Sequence, residues 1–367
     1  MLNKKRLHAV LAAFGLLSTT ASSAFAAGEL HIYNWSDYIA EDTIARFQKE
    51  SGIKVTYDVY DSNEVLAGKL AAGRTGFDLV VPTTNFLAKQ IQAGAYQKLD
   101  KSRLSHYSNL DPKLLKLLQA SDPGNEYAVP YLWGTNGIGV NLDKVRQILG
   151  ADFPLDSYDL LFKPEIVKKL SACGVTLLDS PNEVFPELLG YLGKNPNSEN
   201  PADYELAAER LAAVKPYIRY FHSSQYVNDL ATGEICVAYG FSGDVGIAKA
   251  RAEEAKNGVH LQYIIPKEGT ALWFDSLVIP KDAPNVDSAH KFIDYVLRPE
   301  VIAEITNYVT YPNPNLKATP LVDESLRTDP NVYPPDEVMA RMFAELPKPA
   351  AIDRLMTRLF TKVKTGR

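Results

Sequence analysis

The chain has 367 residues, with 39 Lys and Arg against 44 Asp and Glu and a formal net charge of -5. That balance argues against nucleic acid as a partner, because phosphate contacts need clustered basic side chains. The length exceeds what one hydrophobic core comfortably fills, so two lobes are expected.

At the amino end, Lys4, Lys5 and Arg6 precede a mostly apolar run from Leu7 to Leu17, which is too short to span a bilayer. Ala24-Phe25-Ala26 then fits a small-x-small cleavage pattern. Residues 1–26 therefore read as a secretory signal peptide cleaved near Ala26. Without the three basic residues of that segment, 36 Lys and Arg remain against 44 Asp and Glu, a formal charge of -8. No later apolar run reaches the length of a membrane span. Cys173 and Cys236 are the only cysteines, and in an exported chain such a pair is a disulfide candidate. There is no C-x-x-C to suggest a redox motif or a zinc knuckle.

Glu29 to Trp35 alternates as a strand does. A helix follows from Asp42-Thr43 to Ser51-Gly52, where the glycine ends it. Ile53 to Val59 alternates again, Asn63 to Ala72 is a short helix closed by Gly73, and Phe77 to Val81 is an apolar run stopped by Pro82. Phe86 to Ala95 is helical. This βαβαβ order predicts a parallel sheet with helices on its faces. Ala128 to Val140, with Pro130, Gly134, Gly137 and Gly139, has the composition of a bent strand crossing between lobes. Beyond it, Val175 to Asp179 and Glu234 to Gly240 read as strands, with helices starting at Ser180-Pro181 and at Phe241-Ser242. Leu272 to Ile279 is a strand expected to return to the first lobe, followed by a helix around His290 to Val296. The expected boundaries are 27–135 plus 268–312 for the first lobe and 136–267 plus 313–367 for the second.

Aromatic residues and carboxylates recur together at Trp35-Ser36-Asp37-Tyr38, Phe241-Ser242-Gly243-Asp244 and Trp273-Phe274-Asp275. An aromatic face attracts a cation through its quadrupole, and a carboxylate attracts it through charge and hydrogen bonds. In an open α/β sheet, ligands bind outside the carboxyl ends of the strands. The loops after the first and third strands, with Trp35 to Tyr38 and Thr83-Thr84-Asn85, therefore share one mouth. The three clusters together predict a box for a small organic cation between the lobes.

Other chemistry is poorly supported. The six histidines show no metal-ligand spacing. Gly240-Phe241-Ser242-Gly243-Asp244 misses the nucleophile elbow at its last position, and Gly134, Gly137 and Gly139 form no nucleotide fingerprint. Paired carboxylates in a cleft leave one alternative from another class, an exported carbohydrate-active hydrolase.

The chain resembles the polyamine-binding periplasmic proteins of ABC importers, the spermidine/putrescine receptors. The resemblance is carried by Tyr33-Asn34-Trp35-Ser36-Asp37-Tyr38-Ile39, Phe77 to Pro82, Tyr220 to Tyr226, Gly240 to Asp244, Trp273-Phe274-Asp275 and Tyr311-Pro312-Asn313. It implies an α/β, two-lobe periplasmic-binding-protein fold of type II, each lobe a mixed sheet flanked by helices, with the ligand cleft between them. It also implies a periplasmic location, no enzymatic activity, no cofactor, an ABC permease as membrane partner and a monomeric state. Asp244 and Asp275 are the implied carboxylates for one terminal ammonium and the neighbouring amine, with Asp37 and Glu183 towards the other end. Trp35, Tyr38, Phe241, Trp273 and Tyr311 are the implied aromatic walls, and Ser36, Thr83 and Asn85 the polar contacts. Cys173 and Cys236 match a disulfide pair of relatives. Phe241, where relatives often carry Trp, and Ser180, where some spermidine-specific relatives carry Asp, depart from the pattern. Trp273 stands where putrescine-preferring relatives carry Phe, so spermidine is the expected preference and putrescine the alternative.

Overall fold

A computed structural model describes residues 28–366. The expected signal peptide, with its cleavage near Ala26, lies outside the described residues. Ten strands follow in chain order: β1 Glu29–Trp35, β2 Lys54–Tyr60, β3 Leu79–Val80, β4 Ala128–Asn141, β5 Val175–Leu177, β6 Tyr220–Phe221, β7 Val237–Phe241, β8 Leu261–Ile264, β9 Ala271–Val278 and β10 Phe343–Ala344.

The main path of the sheet runs β2-β1-β3-β9-β4-β7-β5-β6, with β10 beside β9 and β8 beside β4. β1, β2 and β3 are parallel, as the βαβαβ order requires, and β5 is parallel to β6 and β7. β9 runs antiparallel to β3 and β4, and β4 runs antiparallel to β7 and β8. Both halves are thus mixed sheets.

β4 belongs to both. Its first part, Ala128 to Thr135, pairs with β9. From Asn136 to Val140 it pairs with β7, opposite Phe241 to Val237. All fourteen of its residues are buried, so its glycines serve close packing rather than a surface bend. Residues 313–316, expected in the second lobe, lie against the first: Leu110 bridges Asn315, and Leu316 N donates to Asn109 O. The long helix Ala350–Thr365 packs on the second-lobe helices Pro181–Tyr191 and Pro201–Val214.

Local chemistry explains the ends of the elements. Gly52 closes the helix Thr43–Ser51 in the left-handed region, and its N–H reaches Gln48 O. The Ser62 side chain caps the helix Asn63–Ala72, and Asn141 caps Leu142–Leu149. Cys173 and Cys236 form a disulfide within the second lobe, their Cα atoms 5.5 Å apart. No helix among the described residues is long and apolar enough to cross a membrane.

Candidate functional site

One cleft gathers the carboxyl ends of the parallel strands. β1 delivers Trp35 to Tyr38, β2 delivers Tyr60 and Asp61, and Thr83 follows β3. From the other side come Glu183 on the helix after β5, Ser223 and Ser224 after β6, and Phe241 and Asp244 at the end of β7. Trp273 and Asp275 lie inside β9 rather than beyond a carboxyl end. The antiparallel run of β9 brings its early residues to the same mouth, where Asp275 bridges Thr83. The cleft holds about 550 Å³ of empty space, the open mouth included.

Of the residues expected at the site, Trp35, Ser36, Asp37, Tyr38, Thr83, Glu183, Phe241, Asp244, Trp273, Asp275 and Tyr311 line this space. Asn85 does not; its Nδ2 is turned to the buried carboxylate of Glu345. Tyr60, Asp61, Ser223, Ser224 and Val227 also line it. The strand-end rule that selects Trp35 and Thr83 extends to Tyr60-Asp61 after β2, whereas Ser223-Ser224 follow the two-residue β6, which leaves no periodicity to read.

The walls are a continuous set of rings. Trp35 meets Phe241 at 6.3 Å between centroids, Phe241 meets Trp273 at 5.8 Å, Trp273 meets Tyr311 at 5.7 Å and Tyr311 meets Tyr38 at 5.1 Å. Three of the four contacts are edge-to-face, which leaves ring faces available to the space between them. The polar edges of the two indoles are used elsewhere: Trp35 Nε1 donates to Val81 O and Trp273 Nε1 to Asn136 Oδ1, both at 2.9 Å.

The inner carboxylates, Asp275, Asp244 and Glu183, are held by neutral donors. Asp275 is 3% exposed and accepts from Thr83 Oγ1 at 2.6 Å. The buried Tyr38 hydroxyl is close enough to influence Asp275 but makes no hydrogen bond of ordinary geometry. Loss of water pushes the Asp275 carboxyl up to about 7, against the stabilising Thr83 bond and helped by nearby Asp244. Asp244 accepts from the Tyr226 and Tyr311 hydroxyls at 2.6 and 2.8 Å. It keeps an edge on the cleft, yet desolvation still pushes it up to about 6. Glu183 is 5% exposed, accepts from Asn136 Nδ2 at 2.8 Å, and is pushed well up by burial and then by the charge of Glu345. Asp37 sits at the rim and pairs with Arg251 across the mouth at 2.8 Å.

Behind Glu183 lies a second acidic layer. Burial pushes Glu187 up to about 8 and Glu345 up to about 7. Thr270 has one hydroxyl hydrogen, and its shortest contact is to Asn136 O at 2.5 Å. Its oxygen also lies 3.1 Å from Glu187 Oε1, which accepts the Ala271 N–H at 2.9 Å.

The lining contains five carboxylates, Asp37, Asp61, Glu183, Asp244 and Asp275, and no Lys or Arg. A buried carboxylate without a cation is costly and takes a proton instead. The arrangement can therefore accept ammonium groups in place of protons, with ring faces against the methylenes between them. Ser224 Oγ lies 3.5 Å from His222 Nδ1, but that nitrogen already accepts from the backbone N–H groups of Ser224 and Gln225.

A profile of the bacterial extracellular solute-binding protein family matches residues 42–334. The chain is 54% identical over 365 residues to the putrescine-binding periplasmic protein SpuD of Pseudomonas aeruginosa, covering 99% of this chain and 100% of that one. It is also 54% identical over 369 residues to the putrescine-binding periplasmic protein PotF of Escherichia coli, covering 100% of this chain and 99% of that one. Among solved structures, a putative spermidine/putrescine ABC transporter from Listeria monocytogenes superposes with a TM-score of 0.83 at 35% identity, covering 93% of this chain and all of that one. The fold is thus the periplasmic-binding-protein fold, and the chain is a binding protein rather than an enzyme. It belongs to the bacterial extracellular solute-binding protein family of ABC importers, within the group whose members are named for polyamines.

Proposed function

We propose that this protein captures a short aliphatic diamine of the putrescine class in the periplasm and delivers it to an ABC permease. The carrying observation is a ring-lined slot with three largely buried carboxylates, two more towards its rim and no Lys or Arg in the lining. A diamine carries one charge at each end of a methylene chain. Asp244 and Asp275 suit one ammonium, while Glu183 and the rim acids suit the other. An ammonium over an indole or phenol face contributes about 0.5–2 kcal/mol according to its desolvation. Buried charge pairs contribute more, and they require both ends of the ligand to be charged.

The spermidine preference expected from Trp273 has less support than its alternative. Two relatives named for putrescine are 54% identical over nearly the whole chain, whereas the spermidine/putrescine-binding protein of Salmonella typhimurium is 36% identical over 334 residues. Trp273 alone does not outweigh that difference. Calorimetric titration with putrescine, cadaverine, spermidine and butylamine tests the reading. Putrescine is expected to bind tightest, and butylamine at least about 30-fold more weakly, the loss expected for one missing buried charge partner. Tighter binding of spermidine would overturn the diamine assignment, and binding of none of the four would overturn the polyamine reading itself.

A further inference from the structure

Where β4 changes sheets, the residue at the change is Asn136. Thr135 is the last residue paired with β9, opposite Leu272, and Asn136 is the first paired with β7, opposite Phe241. The side chain is fully buried, and both ends of its amide are engaged. Oδ1 accepts from Trp273 Nε1 at 2.9 Å, and Nδ2 donates to Glu183 Oε2 at 2.8 Å. Chemistry fixes the orientation of this amide: an indole N–H can only donate, so it must meet the oxygen, which leaves the NH₂ for the carboxylate. One amide therefore holds an aromatic wall from the first lobe and a carboxylate from the second.

Two further contacts bear on the same point. Thr270, immediately before β9, donates its hydroxyl to Asn136 O at 2.5 Å, which ties the two crossing segments together. Gly134 supplies the room for the indole: a Cβ there would stand 2.8 Å from Trp273 Cη2 and Cζ2 and 3.0 Å from Ser242 Oγ. The ring thus lies in a slot defined by a missing Cβ beside its six-membered edge and an amide oxygen at its N–H.

Asn136 does not line the cleft, whereas Trp273 and Glu183 both do. We propose that Asn136 is a positioning and specificity-determining residue, which sets the pose of Trp273 and its relation to Glu183 and so selects the spacing of ammonium groups that the cleft accepts. The proposal rests on the reading of the cleft as a polyamine site. Without the amide oxygen, the indole N–H has no partner at its present pose and the ring can turn towards Phe241 or Tyr311. Without the amide nitrogen, Glu183 loses its one side-chain donor of ordinary geometry.

The test is a double-mutant cycle read as the ratio of putrescine to spermidine affinity by calorimetry. Wild type, Asn136→Asp, Asn136→Ala, Trp273→Phe and the Asn136→Ala/Trp273→Phe double variant are compared. The alanine variant is expected to move the ratio about three- to tenfold, the scale of one lost hydrogen bond, in the same direction as Trp273→Phe. Asn136→Asp keeps an acceptor for the indole but replaces the donor to Glu183 with a second acid, so it is expected to move the ratio through Glu183 alone, and a ratio equal to wild type would show that the Glu183 contact plays no part. The double variant is expected to fall short of the product of the two single effects, because the amide acts in part through the ring. If the alanine variant fails to fold, Asn136→Ser, too short to reach the indole, takes its place in the cycle. An unchanged ratio in the alanine or serine variant, or single effects that multiply in the double variant, overturns the proposal and leaves the polyamine reading standing. A wild type that binds neither ligand overturns both.

Discussion

On the proposed function, Asp275 is the residue that contributes most directly to cation affinity. It is buried and held by one threonine hydroxyl, in a space whose lining contains no Lys or Arg. Replacing it with Asn removes the charge while preserving shape. Asp275→Asn is therefore expected to weaken putrescine binding at least about 30-fold with little change in thermal stability. Calorimetry with a melting curve on the same sample checks this, and wild-type affinity would show that Asp275 is not a ligand contact. The pH dependence follows from the same groups. Asp275 and Asp244 have pKa values raised to about 7 and about 6, so their stabilising protonated forms are fully present below the ordinary carboxylate range and are lost as pH rises through 6–7. A bound cation favours the charged forms instead. Affinity is therefore expected to rise at least about tenfold between pH 5 and pH 8, and a flat or falling profile in that window would contradict the assignment. At this scale much of the lining was legible, since Trp35, Asp37, Phe241 and Asp244 sit beside strand ends that alternation and glycine punctuation reveal. The direction of Asn85, the layer formed by Glu187 and Glu345, and the amide of Asn136 were not. Each depends on which sequence-distant segment packs against it, and no local pattern records that.

The helix Ser242–Ala255 places Asp244 in its first turn directly after β7, and its glycines let other segments approach closely. A Cβ on Gly243 would stand 2.2 Å from the Tyr311 ring, whose hydroxyl bonds Asp244. Gly243→Ala is expected to displace that ring and reduce affinity at least about tenfold, at a stability cost of about 1–3 kcal/mol. Retained affinity would show that Tyr311 is not needed as a wall. The βαβαβ part of the first lobe was readable because hydrophobic period, caps and terminal glycines agree there. β3 shrinks to Leu79–Val80, although the apolar run around it is longer, because Phe77 and Val81 are buried without continuing the ladder. The two-residue β10 leaves no periodicity to read, and the antiparallel direction of β9 is set by the chain's return from the second lobe.

Across the whole molecule, the lobes touch on both sides of the cleft. Asp37 pairs with Arg251 at one rim, and at the other Glu64 accepts from Ser180 Oγ at 2.8 Å and Asn182 Nδ2 at 2.9 Å. Two crossing segments, at Asn136 and Thr270, join the lobes within the sheet, an arrangement suited to hinge closure. The Asp37–Arg251 pair is substantially exposed and screened by salt. Arg251→Ala is accordingly expected to change putrescine affinity by less than about fivefold at physiological ionic strength. A larger loss would make the rim pair, rather than the buried acids, the main lock.

On the proposed function, ammonium groups replace protons on the buried carboxylates. The most direct measurement is calorimetric titration of putrescine near pH 6.5 in buffers of different ionisation enthalpy, which counts protons exchanged on binding. With Asp275 at about 7, Asp244 at about 6 and Glu183 also pushed up before binding, tight one-to-one binding is expected with release of at least about one proton. No binding, or binding with proton uptake or with no proton exchange, would contradict it.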